Sequence, residues 1–211
     1  VIAALFVAGA GCYFGVPGVE PWDEGRDARK YEGPHPVIAH PPCQRWGRYW
    51  FGGPSARERR KLGDDDGCFA SALASVRRWG GVLEHPAGSH AWRAYGLKAP
   101  RRGGWFPSDA SGGMSCQVEQ GHYGHRARKA SWLYSFGCTL PALEWGASDS
   151  IVRLDDGFHS ADERARARGN RSANDAVELM GRRELMGRRE RLATPLRFRD
   201  LLIGIASTAR P

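Results

Sequence analysis

Apolar residues along this chain gather in short runs separated by turn residues, and long helical stripes are rare. Ile2–Val7 is a continuous apolar run of strand length. Val16–Trp22 reads as a weaker strand, interrupted by Pro17, Gly18 and Pro21. Val37–His40 gives a third short strand. These three lie too close together for complete crossover helices, because a parallel βαβ unit needs a connection of about a dozen residues or more. The clearest helical period is in Asp64–Trp79, where Phe69, Leu73 and Val76 share one face. Asp64, Asp65 and Asp66 suit its N-terminal end, Arg77 and Arg78 its C-terminal end, and Gly80-Gly81 stops it. A shorter polar helix is expected over Ser55–Leu62, with Pro54 near its start. Val82–Glu84 predicts a strand stopped by Pro86. Met114–Glu119 and Ala130–Phe136 predict strands on either side of a polar loop, Gln120–Lys129. Thr194-Pro195 reads as an N-cap and first helical residue, followed by a closing helix over Leu196–Ala206.

Strands and helices interleaved in this way predict an α/β fold with a mixed sheet flanked by helices. The 211 residues suit one domain or one domain with a small appendage. The expected division is an α/β domain over 1–146, an Arg-rich helical extension over 147–193, and a C-terminal helix over 194–211 that packs back. The extension holds a tandem hexapeptide, Glu178–Arg183 repeated as Glu184–Arg189. As a helix it would be weakened by about 1 kcal/mol at each of Gly181 and Gly187. The net charge of +8 points to an anionic partner, DNA first, with a basic solvated surface as the alternative. Five cysteines without a C-x-x-C argue against a disulfide scaffold and a zinc ribbon, and favour a cytoplasmic protein. Val1–Ala10 has no basic leader and reads as a buried strand, and no run approaches the roughly 20 apolar residues of a membrane span. Neither a membrane nor a protein partner is expected.

The chemistry concentrates in loops. Pro41-Pro42-Cys43 follows a strand, and two prolines hold the loop out of helix, which suits a positioned nucleophile. A buried structural thiol is the alternative. Leu83-Glu84-His85-Pro86 likewise places a polar group at a strand's carboxyl end, where ligands bind in open α/β sheets. A strand-end carboxylate in an ion pair is the plainer reading of Glu84. Arg126 and Arg128, in Tyr123–Arg128, read either as ligand-binding guanidiniums or as a solvated basic loop. His40, Cys43, His122 and His125 have spacings that a zinc site permits, a less favoured alternative; no metal is expected.

Taken in order, Pro41-Pro42-Cys43-Gln44, Leu83-Glu84-His85-Pro86 and Tyr123-Gly124-His125-Arg126-Ala127-Arg128 resemble the loops of the DNA cytosine-5 methyltransferases, in particular short phage and bacterial homologues. The resemblance covers Val37–Gly137, with Thr194–Ala206 similar to the family's closing helix. It implies a reduced Rossmann-like, class I methyltransferase-like fold. It implies that Cys43 attacks carbon 6 of a flipped cytosine, that Glu84 holds and protonates ring nitrogen 3, and that Arg126 and Arg128 steady the base and a phosphate. Gln44, Arg45, Arg48, His125 and Lys129 would contact DNA, and Arg45 and Arg48 would help the thiol ionise. S-adenosylmethionine would lie near Phe6, Gly9, Gly11, Glu20, Asp23 and Pro41. The chain departs from the family where the cofactor helix has no room between Phe6 and Glu20, where His85 replaces an asparagine, and where the glutamine before the paired arginines is replaced. A target-recognition region is also missing, with only the Arg-rich stretch to stand in. A DNA-binding relative that kept the base pocket and lost the cofactor is the second reading.

Overall fold

Alternating side chains build two cores on the faces of one sheet. The computed structural model describes residues 1–52, 60–150, 152–153 and 188–210. Its elements are β1 (Ile2–Leu5), β2 (Val19–Trp22), β3 (Val37–Ala39), α1 (Cys68–Trp79), β4 (Gly81–Pro86), α2 (His90–Ala94), β5 (Phe106–Pro107) and β6 (Met114–Glu119). They continue with β7 (Ala127–Arg128), β8 (Ala130–Phe136), β9 (Val152–Arg153), α3 (Arg188–Leu192) and α4 (Leu196–Ser207). The main sheet has seven strands in the order β2-β1-β3-β4-β8-β6-β5. Strands β2, β1, β3 and β4 are mutually parallel. β8 runs antiparallel to both β4 and β6, and β5 is antiparallel to β6. This is an α/β mixed sheet compatible with a Rossmann-like arrangement. β7 and β9 form a separate parallel pair.

Ala3, Leu5, Val37, Ala39, Leu83 and Tyr134 face one core, with Phe69, Ala72, Leu73 and Val76 of α1 laid against them. Ile2, Ala4, Ile38, Val82, Cys116, Val118 and Leu133 face the other, under Phe198, Leu202, Ile205 and Ala206 of α4. The two apolar sets alternate along each strand, and the helical sets recur at three- and four-residue steps, so each helix covers one face. Fully burying a side chain such as Phe69 or Leu202 stabilises by roughly 1.5–3 kcal/mol.

The elements differ from the sequence reading in specific places. β1, β2 and β3 are parallel even though no α-helix fills their connections; 6–18 is irregular and 23–36 holds only a short 3-10 turn at Ala28–Lys30. The connections are long enough to cross over without being helical. α1 begins at Cys68 and not at Asp64, because Asp65 folds back to accept hydrogen bonds from the Gly67 N–H at 3.1 Å and the Phe69 N–H at 2.9 Å. Gly67 sits at φ 75°, a left-handed turn that stops helix on its N-terminal side. The expected loop 120–129 contains a 3-10 turn, Gln120–Tyr123, and the strand β7. Pro195, not Thr194, is the residue before α4. The helix expected over Ser55–Leu62 falls largely outside the described residues, and Arg60–Leu62 are not helical. The Arg-rich extension and its tandem repeat also lie mainly outside them; α3 is the described helical part.

Candidate functional site

Strand parity gathers the polar residues at the carboxyl edge. Ile38 and Val82 point to the α4 side, so two residues on, His40 and Glu84 point the same way at the ends of adjacent parallel strands. Val118 and Leu133 share that face, and the same step of two places Gln120 and Ser131 beside them. The four side chains converge. Glu84 Oε2 lies 3.1 Å from His40 Nδ1. Glu84 Oε1 accepts from the Ser131 hydroxyl at 2.5 Å and from the Gln120 amide at 3.2 Å. The far nitrogen of His40, Nε2, is 2.8 Å from the Tyr13 hydroxyl.

Burial works to raise the Glu84 pKa, but the His40 hydrogen bond and charge, with Lys129 and Ser131, outweigh it and hold the carboxyl at about 2. Glu84 is therefore ionised at neutral pH. Cys43, half-buried beyond Pro41 and Pro42, is close enough to feel that charge. Burial pushes the thiol pKa up, Glu84 pushes it further, and a backbone hydrogen bond and Lys129 act against them. Lys129 is pulled down by burial and held up by Glu84 and Cys43. Cys43, Glu84 and Lys129 thus form one electrostatic unit, in which the resting cysteine is a thiol. Lys129 Nζ also donates to the Ala193 carbonyl at 3.0 Å, just beyond α3.

A rigid back wall holds the Cys43 loop. The Cys43 carbonyl accepts from the N–H groups of Trp46 and Gly47, both at 3.0 Å. The buried Trp46 indole donates to Asp65 at 2.7 Å, which ties the loop to the start of α1.

The other expected site residues are placed as follows. Arg126 pairs with Glu190 of α3 at 2.7 Å, and Arg128 donates to the Ser150 carbonyl at 2.8 Å. The cation whose charge reaches Cys43 and Glu84 is Lys129, not these two, nor Arg45 or Arg48. Arg45 donates to the Trp50 carbonyl at 3.3 Å, and Arg48 lies over the Tyr49 ring. Gln44 is exposed beside them, and His125 is buried, its Nδ1 accepting the Ala127 N–H at 3.1 Å. His85 points to the opposite face from Glu84 and packs edge-on against Phe69 in the α1 core. Gln120 stands on Glu84 where the sequence reading found no glutamine ahead of the arginines. His122 faces Glu144 and not His40, and no group of three or more metal-ligating side chains converges among the described residues. Two clefts, of about 660 and 190 Å³, hold Arg126 and Arg128 respectively, and neither is lined by Cys43 or Glu84.

At the cofactor end, Phe6 turns the chain out of β1 at φ 58°, a left-handed conformation that costs a non-glycine residue about 1–3 kcal/mol. Val7 N–H then donates to the Trp22 carbonyl at 3.2 Å, so the ends of β1 and β2 are held together. Gly9 lies against the half-buried Asp23 carboxylate; a Cβ there would sit 3.6 Å from Oδ2. Gly11 closes a tight turn on the Ala8 carbonyl at 2.9 Å. Glu20 is paired with Arg26 at 2.7 Å. Pro41 is buried at the end of β3. An acid thus stands beside a glycine turn at the adjacent ends of β1 and β2, and it is Asp23, Glu20 being paired with Arg26.

Sequence reasoning missed Tyr13, Gln120 and Ser131, and saw His40 only as a zinc ligand. The signal for three of these was the step of two from Ile38, Val118 and Leu133. Tyr13 lies in an irregular connection and gave no signal.

Fold and site together define an α/β protein with a thiol, a carboxylate and an ammonium at the carboxyl edge of its parallel strands. No family model, curated protein or solved structure matches this chain. Among the described residues, no helix is long and apolar enough to cross a membrane.

Proposed function

We propose that this chain is a compact DNA cytosine-5 methyltransferase-like enzyme. The observation that carries the reading is the electrostatic coupling of Cys43, in the loop after β3, to Glu84 of the adjacent parallel strand β4 and to Lys129. A thiol, a carboxylate and an ammonium grouped in this way suit a cytosine taken out of the base stack. Cys43 sulfur bonds to ring carbon 6 as the thiol gives up its proton, with Lys129 stabilising the thiolate. Electrons of the C5=C6 bond move through carbon 4, and ring nitrogen 3 takes a proton on the Glu84 side. Carbon 5 is then nucleophilic. Gly9 and Asp23 would help to hold S-adenosylmethionine, which would supply the methyl group there. Loss of the carbon 5 proton and of the sulfur, with return of the nitrogen 3 proton to the Glu84 side, restores the aromatic base. The net charge of +8 supports DNA as the partner. Arg126 and Arg128 belong to this reading as contacts to the DNA outside the pocket.

The second reading is a DNA-binding relative without methyl transfer. It is favoured by the 6–18 connection, which lacks the helix that usually follows the cofactor loop. One experiment separates the two. The protein is incubated with random-sequence duplex DNA carrying 5-fluorocytosine, with and without S-adenosylmethionine, and covalent adducts are read by mass. An adduct that needs both the cofactor and Cys43, and vanishes in Cys43→Ala, is the expected result. DNA binding without an adduct selects the binding module. An adduct that persists in Cys43→Ala removes the mechanism.

A further inference from the structure

Resting on the methyltransferase reading, we propose that His40 is the positioning residue that supplies the proton Glu84 passes to the base, so that the working acid is a Tyr13–His40–Glu84 relay and not a lone carboxyl group.

The geometry is a line of three groups drawn from three segments. Tyr13 comes from the 6–18 connection, His40 from the end of β3 and Glu84 from the end of β4. The contacts are 2.8 Å from the Tyr13 oxygen to His40 Nε2 and 3.1 Å from His40 Nδ1 to Glu84 Oε2. The imidazole is thus bonded at both nitrogens, which fixes its orientation. Pro41 follows it directly and keeps its backbone extended. The opposite carboxylate oxygen is fully occupied by Ser131 and Gln120, so Oε2 is the one that exchanges a proton with the ring.

Glu84 alone cannot provide the proton. Although burial opposes it, the groups around the carboxyl hold its pKa at about 2, so it enters the reaction ionised. An imidazolium beside it carries one proton on each nitrogen. Nδ1–H points to Glu84 and Nε2–H to the Tyr13 oxygen. When the sulfur–carbon 6 bond forms, nitrogen 3 takes a proton from Glu84 Oε2, and Glu84 takes one from Nδ1. His40 is left neutral with its remaining proton on Nε2, still bonded to Tyr13. Tyr13 therefore fixes the tautomer that this transfer produces. The proton released by the Cys43 thiol goes to solvent; when the sulfur leaves, nitrogen 3 returns its proton through Glu84 to His40 and the thiolate regains one from solvent, so the count closes. Burial keeps the Tyr13 hydroxyl protonated throughout. The charged and titratable groups that face this pair are Tyr13, Cys43, Lys129 and, from the other side of β4, His85.

The test uses exchange of the cytosine carbon 5 hydrogen with solvent deuterium in duplex DNA, which needs sulfur addition and nitrogen 3 protonation and no methyl donor. Rates are measured from pH 5.5 to 9 for the full chain, His40→Asn and Tyr13→Phe. The expected wild-type rate falls on an alkaline limb, as a reaction that needs a proton donor does. His40→Asn, which keeps a donor to Glu84 but cannot be recharged, is expected to lose about 100-fold or more at neutral pH and to lose the limb. Tyr13→Phe, close to isosteric in the core, should keep the limb and lose less of the rate than His40→Asn. Imidazole added to His40→Gly should restore part of the rate. A His40→Asn protein with the wild-type rate and limb overturns the relay while leaving the methyltransferase reading in place. A wild-type protein with neither exchange nor a 5-fluorocytosine adduct overturns the reading itself, and the relay with it.

Discussion

At the residue scale, one ammonium decides whether the nucleophile can ionise. Burial and the Glu84 charge both favour the neutral thiol at Cys43, and Lys129 is the side chain working against them. This predicts opposite effects from two neutralising substitutions. Lys129→Met should move the Cys43 ionisation to higher pH, and Glu84→Gln should move it to lower pH. The measurement is the pH dependence of iodoacetamide labelling at Cys43, resolved by peptide mass from the other four cysteines, all of which are free. Midpoints that do not move in either variant would mean that the three groups are not coupled. No local pattern chooses Lys129 over Arg126 and Arg128 for this role. Arg126, Arg128 and Lys129 lie on one short polar segment, and which of them turns inward is set by β7 pairing with β9 and by the contacts to Ser150 and Glu190. These are distant in sequence and carry no local pattern.

At the element scale, the Cys43 loop is held by a helix that begins at Cys68, beyond the aspartates expected to open it. Asp65 accepts from the Trp46 indole at 2.7 Å and from the Phe69 N–H at 2.9 Å, so one carboxylate joins the nucleophile loop to α1. Asp65→Ala strips two buried donors of their acceptor, each worth about 1–3 kcal/mol. The expected outcome is a loss of about 2–4 kcal/mol in urea unfolding, with faster amide exchange at Trp46 and Gly47. A loss under about 0.5 kcal/mol, the range of ordinary surface substitutions, would show that the loop is anchored elsewhere. Much at this scale was legible in the sequence. The strands at Ile2, Val37, Val82, Met114 and Ala130 follow from their apolar runs, and the helix face of Phe69, Leu73 and Val76 follows from its period. The places of Cys43 just beyond β3 and of Glu84 within β4 followed from the apolar runs before them. The parallel pairing of β1, β2 and β3 did not follow, because it rests on irregular crossovers whose only local marks are glycine, proline and turn residues. The role of Asp65 was hidden for a similar reason. An aspartate near a helix start reads as a favourable charge, and only the fold shows that Trp46 reaches it.

At the scale of the whole molecule, the buried Glu84 cluster and the core on the other face of the sheet make stability depend on pH in two separate steps. His85 is fully buried, and that burial takes its pKa from 6.5 to about 4 against the opposing Glu84 charge. The unfolded chain therefore binds this proton before the folded one does, and stability falls as pH drops from 6.5 towards about 4. The Glu84 carboxyl, buried but held by His40, is moved from 4.5 to about 2, so its contribution is intact above 4.5 and is lost as pH falls towards about 2. Each group is worth on the order of 3 kcal/mol across its window, at about 1.4 kcal/mol per pKa unit. Asp109, lowered by Arg77 and Tyr134 against its own burial, adds to the acid step, and His125, lowered first by burial, adds to the upper one. Urea midpoints at pH 7, 5 and 3 separate the two steps. Wild-type protein should lose stability between pH 7 and 5 and again between 5 and 3. His85→Leu should remove most of the first loss while keeping the second, and Glu84→Gln the reverse. A wild-type midpoint that is equal at pH 7 and 5 would mean that the core takes up a charged His85 at no cost, which a ring enclosed by Phe69 and Trp92 does not allow without opening the face of the sheet that α1 covers.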